Sequence, residues 1–342
     1  MLEPIQTIVI VGGGSSGWMS AALLAKLTGQ RYRIELVESE QIGTVGVGEA
    51  TIPAIKLYNH LCGINEQEFI RATGATFKLG IEFANWGQQG DSYFHAFGAL
   101  GRQWEWLSFY QYWLKLKQQG LALPFEHYCI ASQMAQQHKF IPADPTKSKS
   151  PVSEIAYAYH FDAGLYAQFL RQFSENLGVR RVEGKVSQVL RHADSGDIAS
   201  LVLQDGQQIH GDLFLDCSGL HALLIEKTLN TGFEDWSHWL PCDSAYAVQT
   251  KTAQEPVAYT RAIARDAGWQ WKIPLQSRVG NGLVFCSKFM TEAEAKQTLI
   301  DNVEGEMMFE PRLIKFKTGT RRQHWNKNCV ALGLSRGFLE PL

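Results

Sequence analysis

The chain opens with Ile8-Val9-Ile10-Val11, a continuous apolar run of the kind that forms a strand buried on both faces. It breaks into Gly12-Gly13-Gly14-Ser15-Ser16-Gly17. Good helix formers follow from Met19 to Leu27, and Ile34-Glu35-Leu36-Val37-Glu38 reads as the next strand. Further on, Pro53 suits the first turn of a helix whose apolar stripe is Ile55, Leu57, Tyr58 and Leu61. From Phe77 to Phe83 the period changes to two. Phe77, Leu79, Ile81 and Phe83 share one face and Lys78, Gly80 and Glu82 the other, which predicts a half-buried strand.

A helix is predicted to begin at Tyr159-His160-Phe161-Asp162, with Asp162 as its cap and Leu165, Phe169, Leu170 and Phe173 at helical spacing. Strands are predicted over 182–190, 198–203 and 209–215, the last running into Asp216-Cys217-Ser218-Gly219. A second set covers 245–250, 259–264, 269–273 and 282–287; Trp269, Trp271 and Ile273 point to one face, and Pro274 ends that run. The proline-bearing stretch 139–153 reads as an exposed loop, and 328–332 as an apolar strand entering a glycine turn. The order implies one discontinuous unit over 1–342. Nucleotide-binding segments lie at about 1–55, 155–235 and 310–342, and substrate-side segments at about 56–154 and 236–309.

Composition narrows the possibilities. A chain of 342 residues with a net charge of −2 offers no electrostatic case for nucleic acid or an anionic membrane surface. Six cysteines without a C-x-x-C spacing argue against a zinc site or a disulfide framework, and no metal ligand set is expected. They read as buried thiols of a cytoplasmic protein. No leader-like or membrane-spanning apolar segment is present in the sequence.

The glycine turn carries the first chemical signal. Gly12 permits a tight strand-to-helix turn, Gly14 leaves room for a pyrophosphate, and Gly17 allows close packing of helix on strand. The first free N–H groups of the helix, from Ser15 and Ser16 onward, would face the phosphates. Glu38, about 20 residues past Gly17, stands where this fingerprint needs an acid for the ribose hydroxyls. Lys78, by contrast, reads from the residues alone as a solvated side chain on the polar face of its strand. His95 with Phe97 reads equally as a structural histidine beside a core aromatic.

Taken together, several stretches resemble the flavin-dependent tryptophan halogenases. They are Gly12-x-Gly14-x-x-Gly17-Trp18, Gly46-Val47-Gly48-Glu49-Ala50-Thr51-Ile52-Pro53, Phe77-Lys78-Leu79-Gly80-Ile81, Asp216-Cys217-Ser218-Gly219, Trp269-Gln270-Trp271-Lys272-Ile273-Pro274 and Gly337-Phe338-Leu339-Glu340-Pro341-Leu342. The resemblance implies an α/β fold: a flavin-monooxygenase-like, Rossmann-type FAD-binding sheet with an interleaved β-rich substrate layer. It implies FAD, used as FADH2, held by Gly12, Gly14, Ser15, Ser16, Gly17 and Glu38, with Ala50, Val186 and Leu334 lining the flavin. Oxygen and a chloride or bromide ion would yield hypohalous acid, which Lys78 would present to an electron-rich ring stacked between His95 and Phe97. Ala96 replaces the family's proline between those two. Trp269 and Trp271 would separate flavin from substrate. A flavin reductase and a small aromatic substrate are the implied partners, and a homodimer is compatible with the resemblance.

The family pattern continues past Glu-Pro-Leu with a second glutamate that partners the lysine and with amides that bind halide. The sequence stops at Leu342. The expectation is therefore a chain lacking that segment and the family's C-terminal helical region, and weak or inactive as a halogenase. An aromatic hydroxylase and a non-catalytic flavin-binding remnant are the competing readings.

Overall fold

The computed structural model describes residues 4–43, 49–144, 146–147 and 150–339. Gly46-Val47-Gly48 of the motif Gly46 to Pro53, and Glu340-Pro341-Leu342, lie outside the described residues.

Two large sheets organise those residues. The first has six strands in the order Trp325–Asn326, Cys329–Ala331, Leu213–Asp216, Thr7–Val11, Arg33–Glu38 and Arg180–Glu183. Its pairings are parallel except for the hairpin at the first edge. Because the first strand is apolar on both sides, it feeds two cores. Ile8 and Ile10 pack with Trp18, Ala21, Ala22 and Ala25 of the helix Ser15–Thr28. Val9, Val11 and Val37 pack with Ile198, Leu201, Leu203 and Ile209 of a three-stranded antiparallel sheet laid over the other face. This is the predicted strand–turn–helix–strand unit within an α/β fold.

The second sheet has seven strands: Arg312–Lys315, Ser244–Lys251, Arg278–Phe285, Gly268–Pro274, Thr260–Arg265, Gly80–Ala84 and Ser92–Ala96. On one of its faces Trp269, Trp271 and Ile273 share a cluster with Phe83, Ala245, Ala247 and Val284, as the alternation in the sequence implied. A small sheet of Glu49–Ala50, Ala158–Phe161 and Thr76–Lys78 joins the two layers.

Several expectations are corrected. Residues 158–161 form a strand, not a helix start; the helix is Ala163–Asn176, and Asp162 caps it by accepting from the Leu165 N–H at 2.9 Å. The aromatic side chains of that strand pack edge-on around Phe69, and this tertiary packing overrides a helical reading. The runs 182–190 and 209–215 each break, one part joining the six-stranded sheet and the other the three-stranded sheet. In the helix Ala54–Cys62, Ile55 and Cys62 are buried while Leu57 and Leu61 are exposed.

Asp216 ties three remote segments together. Its carboxylate, fully buried, accepts from the Ser218 N–H (3.0 Å), the Ser218 hydroxyl (2.6 Å) and the N–H groups of Leu224 and Ile225 (both 2.8 Å). Its carbonyl accepts from the Leu332 N–H (2.9 Å) and the Ser335 hydroxyl. Asp216→Asn turns one acceptor toward donors it cannot serve. Chemical denaturation should show a loss of about 2–4 kcal/mol, the scale for unsatisfied buried donors around a charged acceptor.

Candidate active site

Two neighbourhoods carry the predicted residues. The first is the glycine turn. Gly12 has φ +115°, and its N–H donates to the Val37 carbonyl at 2.9 Å. A Cβ added at Gly12 would lie 2.3 Å from the Cys217 carbonyl oxygen, and one at Gly17 would lie 1.8 Å from the Gly12 carbonyl oxygen. Turn, helix and the strand end at Cys217 therefore approach as only glycine allows. Gly14 stands at the helix N-cap, no side chain caps the helix, and its first turn holds no acid. Its free amides are the place for an anion.

Glu38 reaches over this turn, with Oε2 lying 1.3 Å from where a Gly13 Cβ would stand. Its Oε1 accepts from Arg181 Nε at 2.6 Å. Arg181 also pairs with Glu40 and Glu183, so the carboxylate is fixed in place by a strand that the glycine fingerprint does not include. Gly333 closes the other side: a Cβ there would lie 2.8 Å from Ser16 Oγ, which sets Leu334 beside the turn. Val186 packs against the cluster holding Val11 and Val37, and the Gly184 N–H donates to the Glu38 carbonyl at 2.8 Å. Five separated segments thus converge on the glycine turn.

The second neighbourhood surrounds Lys78, which ends the strand Thr76–Lys78, paired with Ala158–Phe161. At Leu79 the chain changes sheets. The Leu79 N–H donates to the Ala258 carbonyl (2.7 Å), its carbonyl accepts from the Phe97 N–H (2.8 Å), and Gly80–Ala84 continues in the seven-stranded sheet. A lysine on a one-sheet strand would be solvated. At this junction both faces are covered, and Lys78 is 3% exposed. Ala158 stands directly opposite, and its small side chain leaves room for the lysine stem.

Among the described residues no carboxylate or hydrogen-bond acceptor meets the amine; its neighbour is the Phe97 ring, with the centroid 5.4 Å from Nζ. Burial lowers the Lys78 pKa from the usual lysine range to about 8. Gly80 brings the edge strand Ser92–Ala96 close, since a Cβ there would lie 2.3 Å from the His95 carbonyl oxygen. Phe97 therefore faces the amine. His95, exposed and opposite Ile81, makes no ring contact with Phe97 among the described residues.

Ala50 ties the strand opposite Lys78 to the seven-stranded sheet. Its backbone pairs with His160, and its side chain packs on the Trp269 and Trp271 cluster. Sequence reasoning passed over His160 itself. Fully buried on the same face as Lys78, it lies 3.0 Å from Thr76 Oγ1 through Nδ1 and 2.9 Å from Thr260 Oγ1 through Nε2. The alternation of Tyr157, Tyr159 and Phe161 with Ala158 and His160 was the available signal. Among the described residues, no cluster of metal-ligating side chains is found, and no helix is long and apolar enough to cross a membrane.

The tryptophan halogenase family model matches residues 7–342. The chain belongs to this family. Tryptophan 6-halogenase SttH of Streptomyces toxytricini is 36% identical, over 98% of this chain and 68% of its own length. Among solved structures, the flavin-dependent halogenase Xcc4156 from Xanthomonas campestris superposes with a TM-score of 0.95 at 50% identity, and BrvH from Brevundimonas sp. BAL3 with 0.94 at 44%. Each match covers 99% of this chain, which spans 67% of Xcc4156 and 68% of BrvH. Like the relatives, this family member is placed among the enzymes.

Lys78 gives a stability prediction with a definite sign. Its folded pKa lies below its unfolded value of 10.5, so the unfolded state binds more protons between the two values and stability rises with pH there. Below pH 8 the burial costs about 3 kcal/mol. Lys78→Met should therefore be more stable than the parent at pH 7 by up to that amount. The advantage should shrink as pH rises and vanish above about 10.5, as read by denaturant titrations across the range.

Proposed function

We propose that this chain is an FAD-dependent halogenase that places chlorine or bromine on tryptophan, indole or a related electron-rich ring. It would use oxygen, a halide ion and FADH2 delivered by a flavin reductase. Gly12, Gly14, Ser15, Ser16, Gly17 and Glu38 hold the adenosine and pyrophosphate portion, and Ala50, Val186 and Leu334 line the flavin. Bound in reduced form, the flavin supplies the electrons and oxygen activation that turn halide into hypohalous acid.

The observation that carries the reading is the buried Lys78 amine beside Phe97. With its pKa lowered to about 8, a useful fraction is neutral near pH 7.5. The neutral amine attacks the halogen of hypohalous acid: an N–X bond forms, the O–X bond breaks, and hydroxide leaves with the amine proton as water. The substrate ring then takes the halogen, loses its own proton, and returns the amine. Held instead by a hydrogen bond from the ammonium, the acid is made more electrophilic at the halogen. Phe97 and His95 stack the ring so that one carbon meets the amine, and orientation sets the regiochemistry. The wall of Trp269 and Trp271, packed with Ala50, favours this route over direct oxygen transfer to the ring.

The test supplies FADH2, oxygen, bromide and indole and reads product mass. Bromoindole is expected at a low rate, with its formation falling to background in Lys78→Ala, as follows from losing a group that acts in the reaction. Unchanged bromination in that variant would reject the lysine role, and a product heavier by oxygen would favour the hydroxylase. Independently, Glu38→Ala should weaken FAD binding about tenfold to a hundredfold in a fluorescence titration, the scale of a charge-assisted hydrogen bond.

A further inference from the structure

The inference rests on the reading of Lys78 as the reacting amine and concerns what fixes that amine in place. Thr76 and Lys78 lie on one face of their strand, and His160 lies opposite Thr76 on the same face. The hydrogen-bond inventory around His160 determines its form. The Thr76 hydroxyl has one proton and donates it to the Pro274 carbonyl at 2.7 Å. At 3.0 Å from Nδ1 it can therefore only accept, so Nδ1 carries the ring proton. Nε2 is then a lone-pair acceptor, and the Thr260 hydroxyl donates to it at 2.9 Å.

Pro274 and Thr260 belong to the seven-stranded sheet, while Thr76 and His160 belong to the small connecting sheet. The chain Thr260, His160, Thr76, Pro274 thus laces one sheet to the other, three residues before the chain crosses between them at Leu79. We propose that His160, held as the Nδ1–H tautomer between Thr76 and Thr260, is a positioning residue that fixes the strand end bearing Lys78 against the seven-stranded sheet and so sets the amine opposite Phe97.

Two further observations support it. His160 is fully buried, and burial together with the nearby Lys78 charge holds its pKa well below the usual histidine range, so the ring stays in the neutral form the network needs. Among the described residues, Lys78 is the charged group whose field lowers it. The three-residue strand Thr76–Lys78 also has little pairing of its own; the small sheet meets it only at Thr76↔His160, Phe77↔Tyr159 and Lys78↔Ala158. A side-chain lace at one end therefore matters more than it would in a long strand.

The experiment compares His160→Asn, whose amide N–H can replace Nδ1–H toward Thr76, with His160→Leu, which has neither bond. Thr260→Val removes only the Nε2 partner and covers the case in which His160→Leu does not fold. Each is assayed for indole bromination and for amide hydrogen exchange in peptides spanning Thr76 to Gly80.

In His160→Leu kcat should fall about tenfold to a hundredfold, the cost of misplacing a reacting group by an ångström, and in Thr260→Val, which keeps the Thr76 bond, by a smaller factor of about threefold to tenfold. FAD affinity and the indole KM should stay within about twofold, the mark of a lost positioning effect on the chemical step. Exchange at Lys78 and Leu79 should be about tenfold faster, reporting local opening. His160→Asn, which like Thr260→Val keeps the bond to Thr76 and loses the one to Thr260, should match Thr260→Val in both readouts and lie between the parent and His160→Leu. Parent kcat with parent exchange in the disrupting variant, or equal damage in His160→Asn and His160→Leu, would overturn the proposal. If Lys78→Ala brominates like the parent while exchange still responds to His160, the lysine reading has failed and the lace has not.

Discussion

A lysine amine taken out of water without a carboxylate beside it is costly, and a fold that keeps one must hold it firmly. Among the described residues no carboxylate meets Lys78, which is such a group. Its burial follows from where the chain leaves one sheet and enters another, since a strand end covered by two layers has no solvated face. Around it, Ala158 supplies space, Leu79 fills the crossing, Gly80 admits the edge strand with Phe97, and His160 laces the layers together. Stability given up at this point leaves an amine with a lowered pKa, the exchange that the proposed role of Lys78 requires.

The glycine turn is a separate constraint that meets the first through the connecting sheet. There, backbone approaches at Gly12 and Gly17 bring a helix N-terminus up to the strand end at Cys217, and Asp216 binds the surrounding loops to it. Ala50, paired with His160 on one strand and packed against the cluster that holds Trp269 and Trp271, links the small sheet to the seven-stranded one. On the proposed function, this arrangement would separate a site for making a reactive halogen species from one for spending it.

Much of this was legible in the sequence where the determinants are local. The run Ile8 to Glu38 specifies its strand, turn and helix through residues within a few positions of each other, and the alternation of Trp269, Trp271 and Ile273 gave a face that the core confirms. What was not legible depends on contacts far along the chain. Alternation from Phe77 to Phe83 reads as one half-exposed strand because a pattern of period two carries no mark of a change of sheet. Tyr159-His160-Phe161 was misread as a helix start because its strand partners lie at Thr76–Lys78 and Glu49–Ala50. Arg181, which anchors Glu38 from 143 positions away, left no local signal. Lys78 was found only through its motif, and the physics of its burial came from the fold.

The claim on which the account turns is that Lys78 is a buried amine poised near neutrality. Competitive acylation across about pH 6 to 11.5, a range reaching about two units below the expected value and one above the ordinary one, with peptide mass spectrometry resolving Lys78 from exposed lysines such as Lys251, measures its titration directly. The account predicts a midpoint near the value of about 8 that burial imposes, well below that of Lys251. A midpoint for Lys78 at the ordinary value of 10.5, coincident with the exposed lysines, would contradict it.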